Sequence, residues 1–100
     1  MADKNILQKY PIKTDDVVYK EIESKSVLLN LNNGYYYTLN QTGTFLWSRI
    51  DGKTMVSELI SQITQNYEVT LKEATEDVIS LLMDLKNENL IDLNEKPKSS

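Results

Sequence analysis

Cysteine and histidine are both absent from the 100 residues. Without cysteine there is no disulfide framework, no thiol nucleophile and no thiolate metal site. Without histidine the commonest general base and the commonest transition-metal ligand are missing. Basic charge is scarce as well: Arg49 is the only arginine, and the formal net charge is −4. That argues against a nucleic-acid partner, because phosphate binding is driven by Lys and Arg releasing counterions. No window approaches the roughly 18 to 20 apolar residues of a membrane span, so no membrane partner is expected. Met1 to Leu7 lacks the apolar segment of a secretory signal, which makes the cytoplasm the expected location.

The remaining candidates for catalysis are thin. Asp15 and Asp16 are adjacent, but neither has a positioned partner, and the pair reads as a solvated turn before a strand. A serine or threonine nucleophile would need a lysine base or a metal. The three glycines are scattered and form no phosphate loop. No set of carboxylates has calcium-loop spacing. No enzyme activity and no cofactor are expected.

What is present suffices for one small core: 40% of the residues are apolar and 26% charged, the balance of an ordinary globular domain. Val17 to Ile22 and Val27 to Leu31 are rich in β-branched and apolar residues and predict two strands. Asn33-Gly34 between apolar runs predicts a type I′ hairpin, whose two central residues both need positive φ. Tyr35 to Leu39 is then the third strand of an antiparallel meander, with an open edge. Asn40 is a helix N-cap, and the first helix carries Phe45, Leu46, Trp47 and Ile50 and ends at Gly52, a left-handed cap. Thr54 caps a second helix with Val56, Leu59, Ile60, Ile63 and Tyr67 on one face. Thr70 and Glu73 form a capping box for a third helix that runs to about Asn89. Its core stripe is Leu71, Ala74, Val78, Leu81, Leu82 and Leu85. Short strands near Ile12 and over Leu90 to Leu93 complete the chain. The expected organisation is a flexible lead-in over 1–15, one domain over 16–93 and a disordered tail over 94–100. The expected fold is α+β and winged helix-turn-helix-like, a three-stranded antiparallel N-terminal sheet followed by three helices.

Two features suggest a binding surface. Tyr35, Tyr36 and Tyr37 are consecutive, so pleating divides them between the two faces of the sheet. By parity Tyr35, Tyr37 and Leu39 face the core, while Tyr36 and Thr38 point away. On the third helix, Ile79 and Met83 lie about 100° and 140° from Val78, on a flank the core does not need. A groove between the third strand and this helix would suit an extended peptide that adds as a further strand. Against this stand two plainer readings: tyrosine is simply a good strand former, and Ile79 and Met83 extend the core over the sheet edge.

The run from Val27 through Asn32-Asn33-Gly34, Tyr35-Tyr36-Tyr37, Thr38-Leu39-Asn40 and Gly43 to Phe45-Leu46-Trp47 resembles the PqqD-like family. So do Asp51-Gly52-Lys53-Thr54, Tyr67-Glu68-Val69, Leu81-Leu82-Met83-Asp84-Leu85 and Leu90-Ile91 further on. The resemblance covers about Asp16 to Leu93. It implies a recognition element for ribosomally synthesised and post-translationally modified peptides. Such a module binds the leader of a precursor peptide and presents it to a radical-SAM enzyme, a leader peptidase or a cyclase. The chain holds no such catalytic domain, so a discrete partner protein is expected. The implied leader site comprises Tyr35, Tyr36, Tyr37, Thr38 and Leu39 on the strand. On the helix, the wheel argument adds Ile79, Leu82, Met83 and Lys86.

Two other readings stay open. A winged-helix transcriptional regulator would read DNA with its third helix, but Thr70 to Asn89 carries Lys72 and Lys86 against Glu73, Glu76, Asp77, Asp84 and Glu88, a net of −3. A structural subunit could pair with its own copy through the open strand edge; monomer and homodimer are both compatible with the sequence.

Overall fold

Two turns shape the sheet, and the tight one is not where the sequence predicts it. In the computed structural model, which describes residues 5–99, strand β2 (Val17–Ile22) pairs antiparallel with β3 (Lys25–Asn30), and Ile22 stands opposite Lys25. Only Glu23 and Ser24 lie between them. Glu23 takes φ 60°, the single positive angle of this two-residue turn, as in type II′. The predicted type I′ turn at Asn33-Gly34 is not formed. Gly34 has φ 75°, but Asn33 does not share a positive φ. The loop is wider: Gly34 N–H donates to the Asn30 carbonyl at 2.7 Å, and Asn30 N–H donates to the Tyr35 carbonyl at 3.0 Å. Asparagine side chains stabilise it, with Asn33 Oδ1 accepting from Tyr35 N–H and Asn30 Oδ1 from Asn32 N–H. These local bonds compete with the tight turn. They draw Tyr35 out of the predicted strand, and β4 starts one residue later, at Tyr36–Leu39. Tyr35 is correspondingly 68% exposed and does not face the core.

The sheet order is β2-β3-β4. The face formed by Ser26, Leu28, Asn30 and Leu39 is buried. It packs on α1 (Gln41–Arg49), α2 (Val56–Asn66) and α3 (Leu71–Asn87). Leu28, Leu46, Leu59, Ile63, Leu82 and Leu85 are among the fully buried side chains of this core. Three polar side chains inside it are satisfied: the Ser26 and Thr44 hydroxyls bond at 2.8 Å, and Asn30 Nδ2 donates to the Glu88 carbonyl at 3.0 Å. Such pairing removes most of the cost of burying them.

The helix ends show which caps are local. Asn40 Oδ1 accepts from Gly43 N–H, and Thr70 with Glu73 makes the capping box, both as predicted. Helix α3 is shorter than predicted. It closes with Asn89 at φ 62°, with Leu90 N–H on the Leu85 carbonyl and Asn89 N–H on the Lys86 carbonyl, a Schellman arrangement. Leu71, assigned to the core stripe, is 66% exposed in the first turn. Helix α1 ends at Ile50 in extended backbone, so Gly52 is not its cap. Gly52 instead lies two residues on with φ 79°, where an added Cβ would come 3.0 Å from Ile12 Cδ1.

The N-terminal segment differs most from expectation. The part of the lead-in at 1–4 lies outside the described residues. From Asn5 the chain is packed: a 3-10 turn at Ile6–Gln8 precedes β1 (Tyr10–Lys13), which pairs antiparallel with β5 (Ile91–Asn94) in a second, two-stranded sheet. Pro11 is fully buried there; a two-stranded ribbon has only edges, so it loses no obligatory ladder bond. The Lys9 carbonyl accepts from Val56 N–H at the start of α2. Thr54 is therefore not the N-cap; its hydroxyl turns to Asp51 Oδ2 at 3.2 Å, and Met55 takes the cap position. The predicted tail is also engaged at Lys98, whose N–H donates to the Gly52 carbonyl at 2.8 Å. Lys13 Nζ lies 4.9 Å over the Trp47 ring; burial lowers its pKa, a shift that Asp51 partly offsets. Among the described residues no helix is long and apolar enough to cross a membrane. The molecule is α+β and winged helix-turn-helix-like.

Candidate functional site

Strand β4 is the edge of the three-stranded sheet, bonded to β3 on one side only. Backbone groups in an antiparallel pair alternate between the partner and the far side. Asn30 bonds Tyr35 across the register, and the pairs Leu28–Tyr37 and Ser26–Leu39 follow at intervals of two. Tyr35, Tyr37 and Leu39 therefore spend their main-chain groups on β3. Tyr36 and Thr38 present N–H and C=O to the open side. Those four groups form a short template for another strand.

The open edge borders a cleft of about 490 Å³. Its walls are Tyr37, Thr38, Leu39 and Asn40 from β4 and its end, Thr42, Gly43 and Leu46 from α1, and Asp77, Val78 and Leu81 from α3. The floor is apolar: Leu39, Leu46 and Val78 are each at most 4% exposed. Among the described residues Asp77 is the one charged lining residue. At the rim the Tyr37 hydroxyl donates to Asp84 Oδ2 at 3.3 Å, joining strand to helix. The Tyr37 phenol has a raised pKa, first because of burial and then because of the negative charge of Asp84 and Glu88. On the other face of the sheet a second hollow, of about 520 Å³, includes Ile22, Val27, Thr38 and Leu39. Both faces beside the edge thus offer space to side chains.

The sequence-derived site residues separate into three groups. Tyr37, Thr38 and Leu39 line the cleft, and Tyr36, 72% exposed, stands on the outer face of the same edge. Tyr35 lies before the strand, in the connecting loop. On α3, Leu82 is wholly buried, and Ile79, Met83 and Lys86 are not among the lining residues. They sit on the opposite flank of the core stripe, because at 100° per residue Asp77 and Leu81 fall on one side of Val78 and Ile79 and Met83 on the other. The lining residues that sequence reasoning did not place there are Asn40, Thr42, Gly43 and Leu46 beside the strand and, on α3, Asp77, Val78 and Leu81. The signal on α3 was present as spacing: Asp77, Leu81, Asp84 and Glu88 recur at four and three residues along one line of the helix. Nothing local distinguished that line from the other flank.

No three His, Cys, Asp or Glu side chains gather as a metal-holding group among the described residues. The arrangement suits recognition of an extended chain: free main-chain groups at a strand edge, an apolar floor and a polar far wall.

Two solved structures and one family model are similar to this chain. A solved structure described as TbiB1 in complex with the TbiA(beta) leader peptide superposes with a TM-score of 0.74 at 28% identity, over 81% of this chain and 94% of that one. A lasso peptide synthetase B1 complexed with the leader peptide gives a TM-score of 0.73 at 22% identity, over 82% and 96% of the two chains, a likeness of fold. No curated protein matches the chain significantly. The family model for coenzyme PQQ synthesis protein D (PqqD) matches residues 25–91, a span that contains β3, β4, all three helices and both walls of the cleft, and the chain belongs to that family.

Proposed function

We propose that this chain is a non-catalytic peptide-binding module. It captures the leader of a ribosomally synthesised precursor peptide by strand addition to β4 and presents it to a modifying enzyme. The observation that carries this reading is the open β4 edge running beside a cleft with an apolar floor, walled by α3. The family membership and the leader complexes of structurally similar proteins support it.

In this mechanism the leader's main chain bonds the outward N–H and C=O groups of Tyr36 and Thr38. Each such bond is worth about 0.5–1.5 kcal/mol net, so the edge alone gives weak, sequence-tolerant capture. Alternate side chains of the added strand go in opposite directions. One set enters the cleft over Leu39, Leu46 and Leu81. The other lies on the outer face beside Tyr36, Thr38 and Val27. Burial of apolar side chains in the cleft supplies the rest of the affinity, at about 25 cal/mol per Å². A radical-SAM enzyme, a leader peptidase or a cyclase would then act on the part of the precursor beyond the bound strand.

The test is an amide-shift titration with a candidate leader peptide. The Tyr36 and Thr38 amides are expected to shift and to gain protection from hydrogen exchange. Saturation with both amides unmoved would sink strand addition at β4.

A further inference from the structure

An acidic line on α3 borders the cleft. Along α3, Asp77, Leu81, Asp84 and Glu88 follow one another at four, three and four residues, a single line on the helix surface. Asp77 and Leu81 line the cleft, and Asp84 meets the Tyr37 hydroxyl at its rim. Among the described residues no lysine or arginine lines it. The two lysines of α3, Lys72 and Lys86, lie about 140° and 180° round the helix from Asp77, on the far flank. Across the cleft, the start of α1 holds its own cap, with Asn40 Oδ1 on Gly43 N–H. The negative field also reaches β4, where Asp84 and Glu88 add to the effect of burial in raising the Tyr37 pKa.

We propose that the leader segment taken by this cleft is basic, with an apolar side chain over Leu81 and a lysine or arginine two residues to either side, facing Asp77 and Asp84. The inference rests on the peptide-binding reading above. The spacing is consistent with it. Asp77 and Asp84 are about 10 Å apart along the helix and Asp77 and Glu88 about 16 Å, at 1.5 Å per residue. Same-face residues of a strand are about 7 Å apart, so the two flanking side chains stand about 14 Å from each other. Long lysine and arginine stems cover the difference while their own methylenes lie on the apolar floor. A glutamate at either position would face the same carboxylates and be repelled.

The experiment selects a displayed library of random peptides on the full chain at low salt. The enriched sequence is then made in three versions, with Lys, Gln or Glu at the two positions flanking its apolar anchor. Lys is expected to bind about two- to fivefold more tightly than Gln per flanking position, the scale of a partly exposed ion pair, and Glu more weakly still. Raised salt compresses the series. The preference is expected to vanish in the Asp77→Asn/Asp84→Asn double variant, and Asp77→Lys is expected to reverse it at the position facing residue 77. If all three versions bind equally and still shift the Tyr36 and Thr38 amides, the charge proposal is overturned and strand addition stands. If the enriched peptides leave those amides unmoved, both are overturned.

Discussion

Leu81 and Met83 are two residues apart on α3 and point to opposite flanks of its core stripe. Leu81 is half-buried in the cleft wall; Met83 is 41% exposed and lies outside the lining. The pair gives a direct test of which flank forms the peptide wall. Leu81→Asp removes apolar contact and sets a carboxylate under the leader's apolar anchor, so leader affinity measured by calorimetry is expected to fall tenfold or more, about 1.4 kcal/mol or above. Met83→Asp is expected to stay within about twofold of the parent. The opposite ranking, with both variants folded, would move the wall to the other flank. Asn40 was legible from sequence because an N-cap acts three residues away, on Gly43 N–H. Thr54 misled because the group that meets Val56 N–H, the Lys9 carbonyl, comes from a distant segment.

Elements that act through local bonds were likewise legible. The β2 and β3 strands, the Thr70–Glu73 capping box and the three helices follow from residue type and period. The loop before β4 was not, since three asparagine side chains and Gly34 admit more than one set of turn bonds, and the wider set won. The lead-in was legible only as a short strand near Ile12, because β1 alternates poorly and contains a proline, so little within it predicts how firmly it is held. Its order comes from β5, the start of α2 and the Gly52 backbone. Deleting residues 1–13 is therefore expected to destabilise the domain by about 3 kcal/mol or more. Pro11 and the half-buried Ile6, Leu7 and Ile12 leave the fold, and Leu90 and Ile91 become exposed. Urea unfolding followed by Trp47 fluorescence reads this as a lower midpoint. An unchanged midpoint would show that β1 contributes no net stability.

At the scale of the molecule, a winged helix-turn-helix-like fold carries charge of the wrong sign for DNA. The net charge is −4, and α3, in the place of a recognition helix, holds Asp77 and Asp84 at the cleft. No salt-dependent retention on duplex DNA or heparin is expected. Retention at low salt that is lost as salt rises would favour the regulator reading instead. The same acidic surface favours encounter with basic peptides, and the rate of that encounter falls with ionic strength.

The amino-acid sequence by itself determined the course of β2, β3 and the three helices, the caps at Asn40 and Thr70, and which chemistries lack their residues. These depend on period, on side-chain oxygens near backbone N–H groups, and on composition. Only the tertiary structure decided which side of α3 meets the strand edge. Val78, Leu82 and Leu85 anchor the helix in the core, and the two flanks of that stripe are equally compatible with an amphipathic pattern. The position of the sheet breaks the tie, placing Asp77 and Leu81, rather than Ile79 and Met83, across from Tyr37 to Leu39.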